Sequence, residues 1–288
     1  MSQLHDVATF CRAAWRHQSP LPNRVRALGR FVYRQAHKRI VGKPLTIAWE
    51  GMTLEIPVDS TSASAAYYFG RQDAWEFAFL ERFLRPGDSV ADVGANVGVY
   101  TLFLAKLVGA TGKVFACEPE PQNLERLRGN VQKNQLRQVE IVPAAIGAVA
   151  GEAHFLSGQD SVGHLTDRPE GIVVPLQTLA ATCAARPPIF VKVDVEGYEQ
   201  GVIEGARGLM SAGMPLVWLL ESPDFEEGSG RGELAGLASL GYDFFSFDPI
   251  RGVLVPSHPR DRNGNNHLAI RKGGQVAERL GTRLQRDQ

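Results

Sequence analysis

The sequence predicts an α/β domain: a mostly parallel sheet with helices on both faces. Three stretches carry that expectation. Ser89 to Val93 is short and apolar, ends in an acid–glycine step and runs into a helical pattern beginning near Val97. That order reads as strand, tight glycine turn and helix N-terminus, the first unit of a nucleotide-binding sheet. Val114 to Cys117 is a second apolar strand, with Glu118 at its carboxyl end. Ile189 to Val193 is continuous and rich in β-branched residues, as a strand buried on both faces should be.

The first unit says most about the ligand. Gly94 and Gly98 allow a sharp backbone turn and a close approach with no Cβ in the way. Free N–H groups at the helix start favour a carboxylate or phosphate. A dinucleotide fingerprint wants a second glycine to admit pyrophosphate, but Asn96 stands at that place and Val99 at the third glycine's. A zwitterionic ligand such as S-adenosylmethionine tolerates the amide. Asp92 would accept from its ammonium, and Asn96 with backbone N–H groups would face its carboxylate. Glu118 would accept the ribose hydroxyls, a role that does not separate this methyl donor from NAD. Pro119 ends strand pairing and turns the chain into a helix over Asn123 to Lys133.

The remaining elements alternate as such a sheet requires. Leu45 to Glu50 and Met52 to Pro57 read as a hairpin ahead of the main domain, and Asp73 to Leu84 as a helix leading into the first strand. Val139 to Val142 is the third strand. Pro143, Ala144 and Ala145 follow it with no acid to grip an adenine amine, so backbone groups around Ala145 take that role. Ala153 to Leu156 and Ile172 to Leu176 are extra strands bracketing a Gly/Ser/Asp-rich loop, 157–171. Pro215 to Leu220 is the fifth strand of the main sheet, ended by Glu221, and His267 to Ile270 the last.

Asp-Val-Gly-Ala-Asn-Val-Gly from Asp92, then Glu118-Pro119 with Asn123 and Asn130, then Lys192-Val-Asp-Val-Glu-Gly-Tyr-Glu199 form three ordered blocks. Together they resemble the FkbM family of S-adenosylmethionine-dependent methyltransferases, over roughly Gly87 to Ile270. The resemblance implies a class I methyltransferase fold, a Rossmann-like, mostly parallel seven-stranded sheet. It also implies methyl transfer to oxygen on a sugar, polyketide or other secondary metabolite. Cys117 departs from the larger apolar residue frequent there in the family. The expected organisation is an N-terminal basic helix and hairpin over 1–70, the cofactor-binding methyltransferase domain over 71–272, and a charged, disordered tail over 273–288.

Four charged residues within eight, Lys192, Asp194, Glu196 and Glu199, lie at the carboxyl edge of the fourth strand, where ligands bind in open α/β sheets. They must pair, bind substrate or bind metal, because burying them unpaired is costly. The structural reading pairs Lys192 with Glu199 near a helix N-terminus. The functional reading gives Asp194, which also lies beside the cofactor, and Glu196 to catalysis. Either a carboxylate takes the acceptor's hydroxyl proton, or a divalent cation such as magnesium held by Asp194, Glu196 and Glu221 lowers its pKa. Holding the two substrates in line contributes in both cases. His267 and His164 are alternative bases. Ser161 and His164 in the 157–171 loop, Glu221, and Tyr68 in an apolar wall are the acceptor-binding candidates. The competing reading of that loop is an ordinary surface excursion.

Composition fits one sizeable core with a small accessory segment: 288 residues, 44% hydrophobic and 22% charged. Three scattered cysteines make no disulfide framework or zinc site, which fits a cytoplasmic setting. No signal peptide is evident, and no apolar run approaches the roughly 18 residues of a membrane span. Net charge is zero but uneven: Met1 to Lys43 carries nine Lys/Arg and one acid, a net of +8. Val25, Leu28, Phe31 and Val32 recur there at helical spacing beside arginines, giving a basic amphipathic helix. The simplest reading packs that helix on the catalytic domain with a solvated basic rim. Sharper readings are an anionic partner, an acidic carrier protein or a membrane surface. The expected partner is a small-molecule or glycan acceptor, without nucleic acid, and a homodimer stays open. The rival functional classes are an NAD(P)-dependent oxidoreductase, disfavoured by Asn96 and Val99, and a non-catalytic module that keeps the cofactor fold.

Overall fold

The structure is a computed structural model that describes residue 10 and residues 21–60, 62–71, 73–157, 163–166, 170–221, 236–257 and 266–281. The chain divides into two compact units, Met1–Phe77 and Ala78–Gln288.

The first unit holds helix α1 (Leu21–Ile40), strands β1 (Leu45–Trp49) and β2 (Met52–Ile56), helix α2 (Ser62–Phe69) and the start of α3 (Ala74–Phe83). β1 and β2 form the expected antiparallel hairpin, closed by the Trp49–Met52 pair. Its two turn residues, Glu50 and Gly51, have φ of 51° and 82°. Two successive positive φ values suit the right-handed twist of a tight hairpin. Ala27 and Phe31 of α1 pack on Phe10 and on Tyr68 of α2. Phe10 and Phe31 stack at 4.2 Å, and Tyr68 meets both edge-on. Arg34 is fully buried beneath them. Its guanidinium donates to the Pro57 carbonyl and, at 3.5 Å, to Ser64 Oγ, and burial lowers its pKa.

The second unit is built on an eight-stranded sheet, one strand more than expected. Its parallel part runs β11 (Val217–Glu221), β10 (Phe190–Val193), β3 (Ser89–Val93), β4 (Lys113–Cys117), β5 (Val139–Val142). β14 (Asn266–Arg271) lies antiparallel beside β11, followed by β12 (Tyr242–Asp248) and β13 (Val253–Pro256). β13 is the additional strand. It exists because Asp248 closes a tight hairpin, its Oδ1 accepting from the Ile250 and Arg251 N–H groups at 2.9 and 3.0 Å.

Alternation divides each strand between two faces. Ala91, Val93, Val191, Val193, Trp218 and Leu220 share a core with α6 (Leu179–Thr182), α7 (Glu199–Gly205) and α8 (Arg207–Ser211). On the other face Ala116 packs with Ala95 and with Leu127 of α5 (Pro121–Lys133). Helix α4 (Val99–Val108) is almost wholly buried.

Between β5 and β10 the chain makes a separate four-stranded sheet, ordered β6 (Ala145–Ile146), β9 (Ile172–Gln177), β7 (Gly151–Leu156), β8 (His164–Thr166). Two of its strands were expected. β6 and β8 are too short to carry a readable alternation. Beyond β14, disorder from residue 273 was expected, but Gln275–Leu280 forms helix α9. Arg279 fastens it, donating to the Phe83 carbonyl at 3.1 Å and pairing with Asp88. Residues 282–288 lie outside the described residues.

Candidate active site

The carboxyl ends of β3, β4 and β10 are sewn together by backbone. Gly94 and Ala95 N–H groups both donate to the Cys117 carbonyl at 3.0 Å, and Asp194 N–H donates to Val93 O at 3.0 Å. The turn after β3 places Gly94, Asn96 and Gly98 at φ of 81°, 51° and 97°. Asparagine is among the few side chains that tolerate this region, and Asn96 folds back so that its Oδ1 accepts from Val97 N–H at 2.7 Å. The space over Gly94 is filled by the Asp194 carbonyl, and that over Gly98 by Leu127. These glycines were expected to allow both a sharp turn and the close approach of a ligand, and their positive φ values bear out the turn. Their Cβ-free faces also admit the Asp194 backbone, just beyond β10, and Leu127 of α5.

Glu118 is buried at the end of β4. Its Oε2 accepts from Asn96 N–H at 2.7 Å and its Oε1 from Glu120 N–H at 2.9 Å. Burial pushes its pKa up to about 7, against the opposing pull of those two bonds. Asn123 was expected at the cofactor. Its side-chain amide donates to Glu120 Oε2 at 2.6 Å, and its oxygen accepts from Arg126 at 3.4 Å. Pro119 bridges the strand end and α5, whose first residue is Pro121. Asn130, from the same helix, donates to the Val97 carbonyl at 2.9 Å and steadies the glycine turn. Ala145 opens β6 opposite Leu176 and is buried with Phe155 and Val174.

The charged pair at the centre is not the expected one. Lys192 stands beside Asp92 in the β10–β3 register, and Nζ donates to Asp194 Oδ2 at 2.8 Å. Glu199 opens a helix beyond a turn. Positions two apart along a strand share a face, which is why Asp194 wins the lysine. Nζ also lies 4.8 Å from the Tyr100 ring centroid, a cation–π contact. Asp92 is fully buried; Oδ2 accepts from Thr101 Oγ1 at 2.6 Å, and Oδ1 has no hydrogen-bond partner among the described residues. Burial raises its pKa, and the nearby Lys192 charge pulls the other way. Tyr100 and Thr101 carry no spacing signal that ties them to residues on β3 and β10.

Beyond Asp194 the chain turns tightly, with Glu196 at φ 51° and Gly197 at 96°. A glutamate in this region carries strain of order 1–3 kcal/mol, which clusters at functional sites. Although Glu196 is exposed as a residue, loss of water around its carboxyl raises its pKa, and Asp194 and Glu199 raise it further. His164 of β8 and Lys192 act in the opposite direction. The four-stranded insertion therefore brings His164 within electrostatic reach of Glu196. Glu199 is buried, with Oε1 accepting from Gly197 N–H at 3.1 Å.

Two expected site residues fall elsewhere, and for two more the side chain lies outside the described residues. His267 aligns with Leu220, and Leu220 with Val193, so it belongs to the opposite sheet face from Lys192. It is buried there, and the structure does not bring it to Asp194 and Glu196. Tyr68 is committed to the aromatic core of the first unit. Ser161 lies outside the described residues, as does the Glu221 side chain at the end of β11. Among the described residues no three His, Cys, Asp or Glu side chains converge to hold a metal ion; the Glu221 side chain, the third ligand of the expected cation site, lies outside them.

Residues 92–260, more than half of the chain, match the methyltransferase FkbM domain. The chain belongs to that family. Residues 34–148 also match protein-L-isoaspartate(D-aspartate) O-methyltransferase. A ribosomal protein L11 methyltransferase of Chloroflexus aurantiacus is 34% identical over 27% of this chain and 24% of its own length. A probable cobalt-precorrin-6B C(15)-methyltransferase of Sulfolobus acidocaldarius is 43% identical over 19% of this chain and 29% of its own. The chain thus spans about a quarter of the length of the curated relatives it matches. Among solved structures, the FkbM methyltransferase of Methylobacillus flagellatus is similar at 15% identity and TM-score 0.45, over 73% of this chain and 55% of that one. An O-methyltransferase of Thermotoga maritima is similar at 15% identity and TM-score 0.42, over 79% and 77%. No helix among the described residues is long and apolar enough to cross a membrane.

Proposed function

We propose that the protein transfers the methyl group of S-adenosylmethionine to a hydroxyl oxygen of a small polyhydroxylated acceptor, such as a sugar or polyketide. The observation that carries this reading is the edge of β10. There Asp194 is paired with Lys192, while Glu196 stands in a strained turn with its carboxyl pushed toward protonation by loss of water and then by its acidic neighbours.

The site's residues suit the cofactor. Glu118 keeps a carboxylate at the end of β4, where ribose hydroxyls would donate to it. Asp92 holds a buried oxygen with no hydrogen-bond partner among the described residues, suited to the ammonium directly or through water. The first-turn N–H groups of α4 suit a carboxylate. When bound, the cofactor supplies an electrophilic methyl on a sulfonium.

Glu196 accepts the acceptor's hydroxyl proton as the oxygen bonds to the methyl carbon. A raised carboxylate pKa brings a base closer to working pH. Being exposed, Glu196 then returns that proton to water. Asp194, fixed by Lys192, orients the hydroxyl. His164 and the strand that carries it line the acceptor's side of Glu196.

The test is methyl transfer from labelled cofactor to a panel of free sugars, glycosides and polyketide alcohols, with the methylated atom located by mass spectrometry. Glu196→Gln should lower kcat by roughly 10²–10⁴, with S-adenosylhomocysteine affinity unchanged. Full activity in that variant, or methylation confined to nitrogen or carbon, would overturn the reading.

A further inference from the structure

Helix α1 has two apolar faces. One holds Ala27 and Phe31 and is buried in the first unit, with Arg34 beside them. The other is open: Val25 is 66% exposed, Leu28 51%, Val32 61%, Tyr33 54% and Ile40 84%. At 100° per residue these positions fall in one arc roughly 140° wide, centred opposite the buried face. Over the sixteen residues from Val25 to Ile40 that stripe is about 22 Å long. Large aliphatic side chains seldom line up in water this way, and contiguous exposed apolar surface marks interaction sites.

Charge decides what covers it. Between Val7 and Trp49 there are nine Lys/Arg residues and no Asp or Glu. Exposed Arg26 and Arg30 border one side of the stripe, exposed Arg39 sits within it, and exposed Lys43 follows the helix. Arg30 is fixed there by donating to the Tyr67 carbonyl at 3.0 Å. A second copy docked face to face would bring two all-basic surfaces together, so self-association through α1 is disfavoured. A flat stripe of aliphatic residues with a tyrosine at its rim and basic residues alongside is the pattern of a helix lying in a lipid interface. There acyl chains take the aliphatic groups and anionic headgroups take the cations.

We propose that α1 docks the protein on an anionic membrane surface through Val25, Leu28, Val32 and Ile40, with Arg26 and Arg39 reading the headgroup charge. The opposite face keeps the helix bound to its own unit, so docking requires no unfolding.

The test is co-sedimentation of the full chain with vesicles of phosphatidylcholine alone and of phosphatidylcholine containing roughly one third phosphatidylglycerol. Binding is expected to the anionic vesicles only and to fall as salt rises. Leu28→Gln with Val32→Gln, and separately Arg26→Ala with Arg39→Ala, should each weaken it about tenfold or more. Circular dichroism and thermal melting, read in parallel, should match the wild type because all four side chains are exposed. Absence of binding by the folded wild type overturns the proposal. So does undiminished binding by the glutamine pair, which would make the attraction electrostatic alone. A dimer in solution that the same glutamine pair dissociates would assign the stripe to a second copy and overturn it equally.

Discussion

A β-carbon on Gly94 would fall onto the carbonyl oxygen of Asp194. One backbone thus sets the distance between the end of β3, where the cofactor-binding turn begins, and the end of β10, which carries the acidic edge. A side chain at Gly94 acts on both halves of the site at once.

Gly94→Ala should therefore cost more than its backbone angle alone. Gly213 is the matched control: φ is 91° and nothing lies within 4 Å of its added Cβ. Gly213→Ala should cost about 1–2 kcal/mol, the left-handed penalty by itself. Gly94→Ala should cost on the order of 3–5 kcal/mol, because backbone must also shift. Urea denaturation of the two variants measures the difference. Equal costs would mean the β3–β10 contact yields freely.

The parallel strands were legible because strands buried on both faces are mostly apolar, and β3, β4 and β10 each carry only one or two polar residues. Glu118 was legible because it ends such a strand. What failed to show was contact between distant segments. Nothing near Gly94 announces a carbonyl one hundred positions on, and nothing near Tyr68 announces Phe10 and Phe31 as its neighbours. Lys192 pairs with Asp194 rather than with Glu199 because the two-residue period of β10 puts Lys192 and Asp194 on one face, while Glu199 lies beyond a turn. His267 was an alternative base at a strand start, yet its register with Leu220 puts it on the sheet face opposite Lys192.

Glu118 should make both stability and cofactor binding depend on pH. Its folded pKa of about 7 lies above the ordinary 4.5. Between these limits the folded protein holds a proton that the unfolded chain releases. The group's stabilising contribution is full below about pH 4.5 and is lost as pH rises through about 7, a change of roughly 3 kcal/mol at most. Ribose hydroxyls donate, so they favour the ionised form. S-adenosylhomocysteine affinity should accordingly tighten from about pH 6 to about pH 8. Calorimetry on the wild type and on Glu118→Gln tests this: the slope should vanish in the variant, and a persistent slope would assign it to another group.

Arg279 should matter although it lies far from the acidic edge in sequence. It pairs with Asp88, donates to Phe83 O and lies 5.1 Å from the Phe83 ring centroid. Asp88 also accepts from Arg85 N–H at 2.7 Å, so the arginine braces the turn that leads into β3. Arg279→Ala should cost about 1–3 kcal/mol. The measurement is the urea midpoint, with cofactor affinity read alongside and expected to stay level.

Lys192 gives the sharpest test of the site's electrostatics. Its ammonium serves two carboxylates: Asp194 at 2.8 Å and, through its charge, the buried Asp92 beside it on β3. Replacing it by methionine keeps much of the apolar stem but leaves Asp92 buried with only the Thr101 hydroxyl as a hydrogen-bond donor. Breaking a buried pair by removing one partner typically costs about 3–5 kcal/mol. Asp92→Asn keeps an acceptor for Thr101 and removes the charge that Lys192 offsets. If the two charges stabilise each other, Lys192→Met should cost less in the Asp92→Asn background than in the wild type, by at least about 1 kcal/mol. Strictly additive losses in guanidinium denaturation would show that Lys192 acts on Asp194 and Tyr100 alone. Lys192→Arg should fail to restore stability, because a planar guanidinium cannot take the ammonium's place above the Tyr100 ring while keeping the 2.8 Å bond to Asp194.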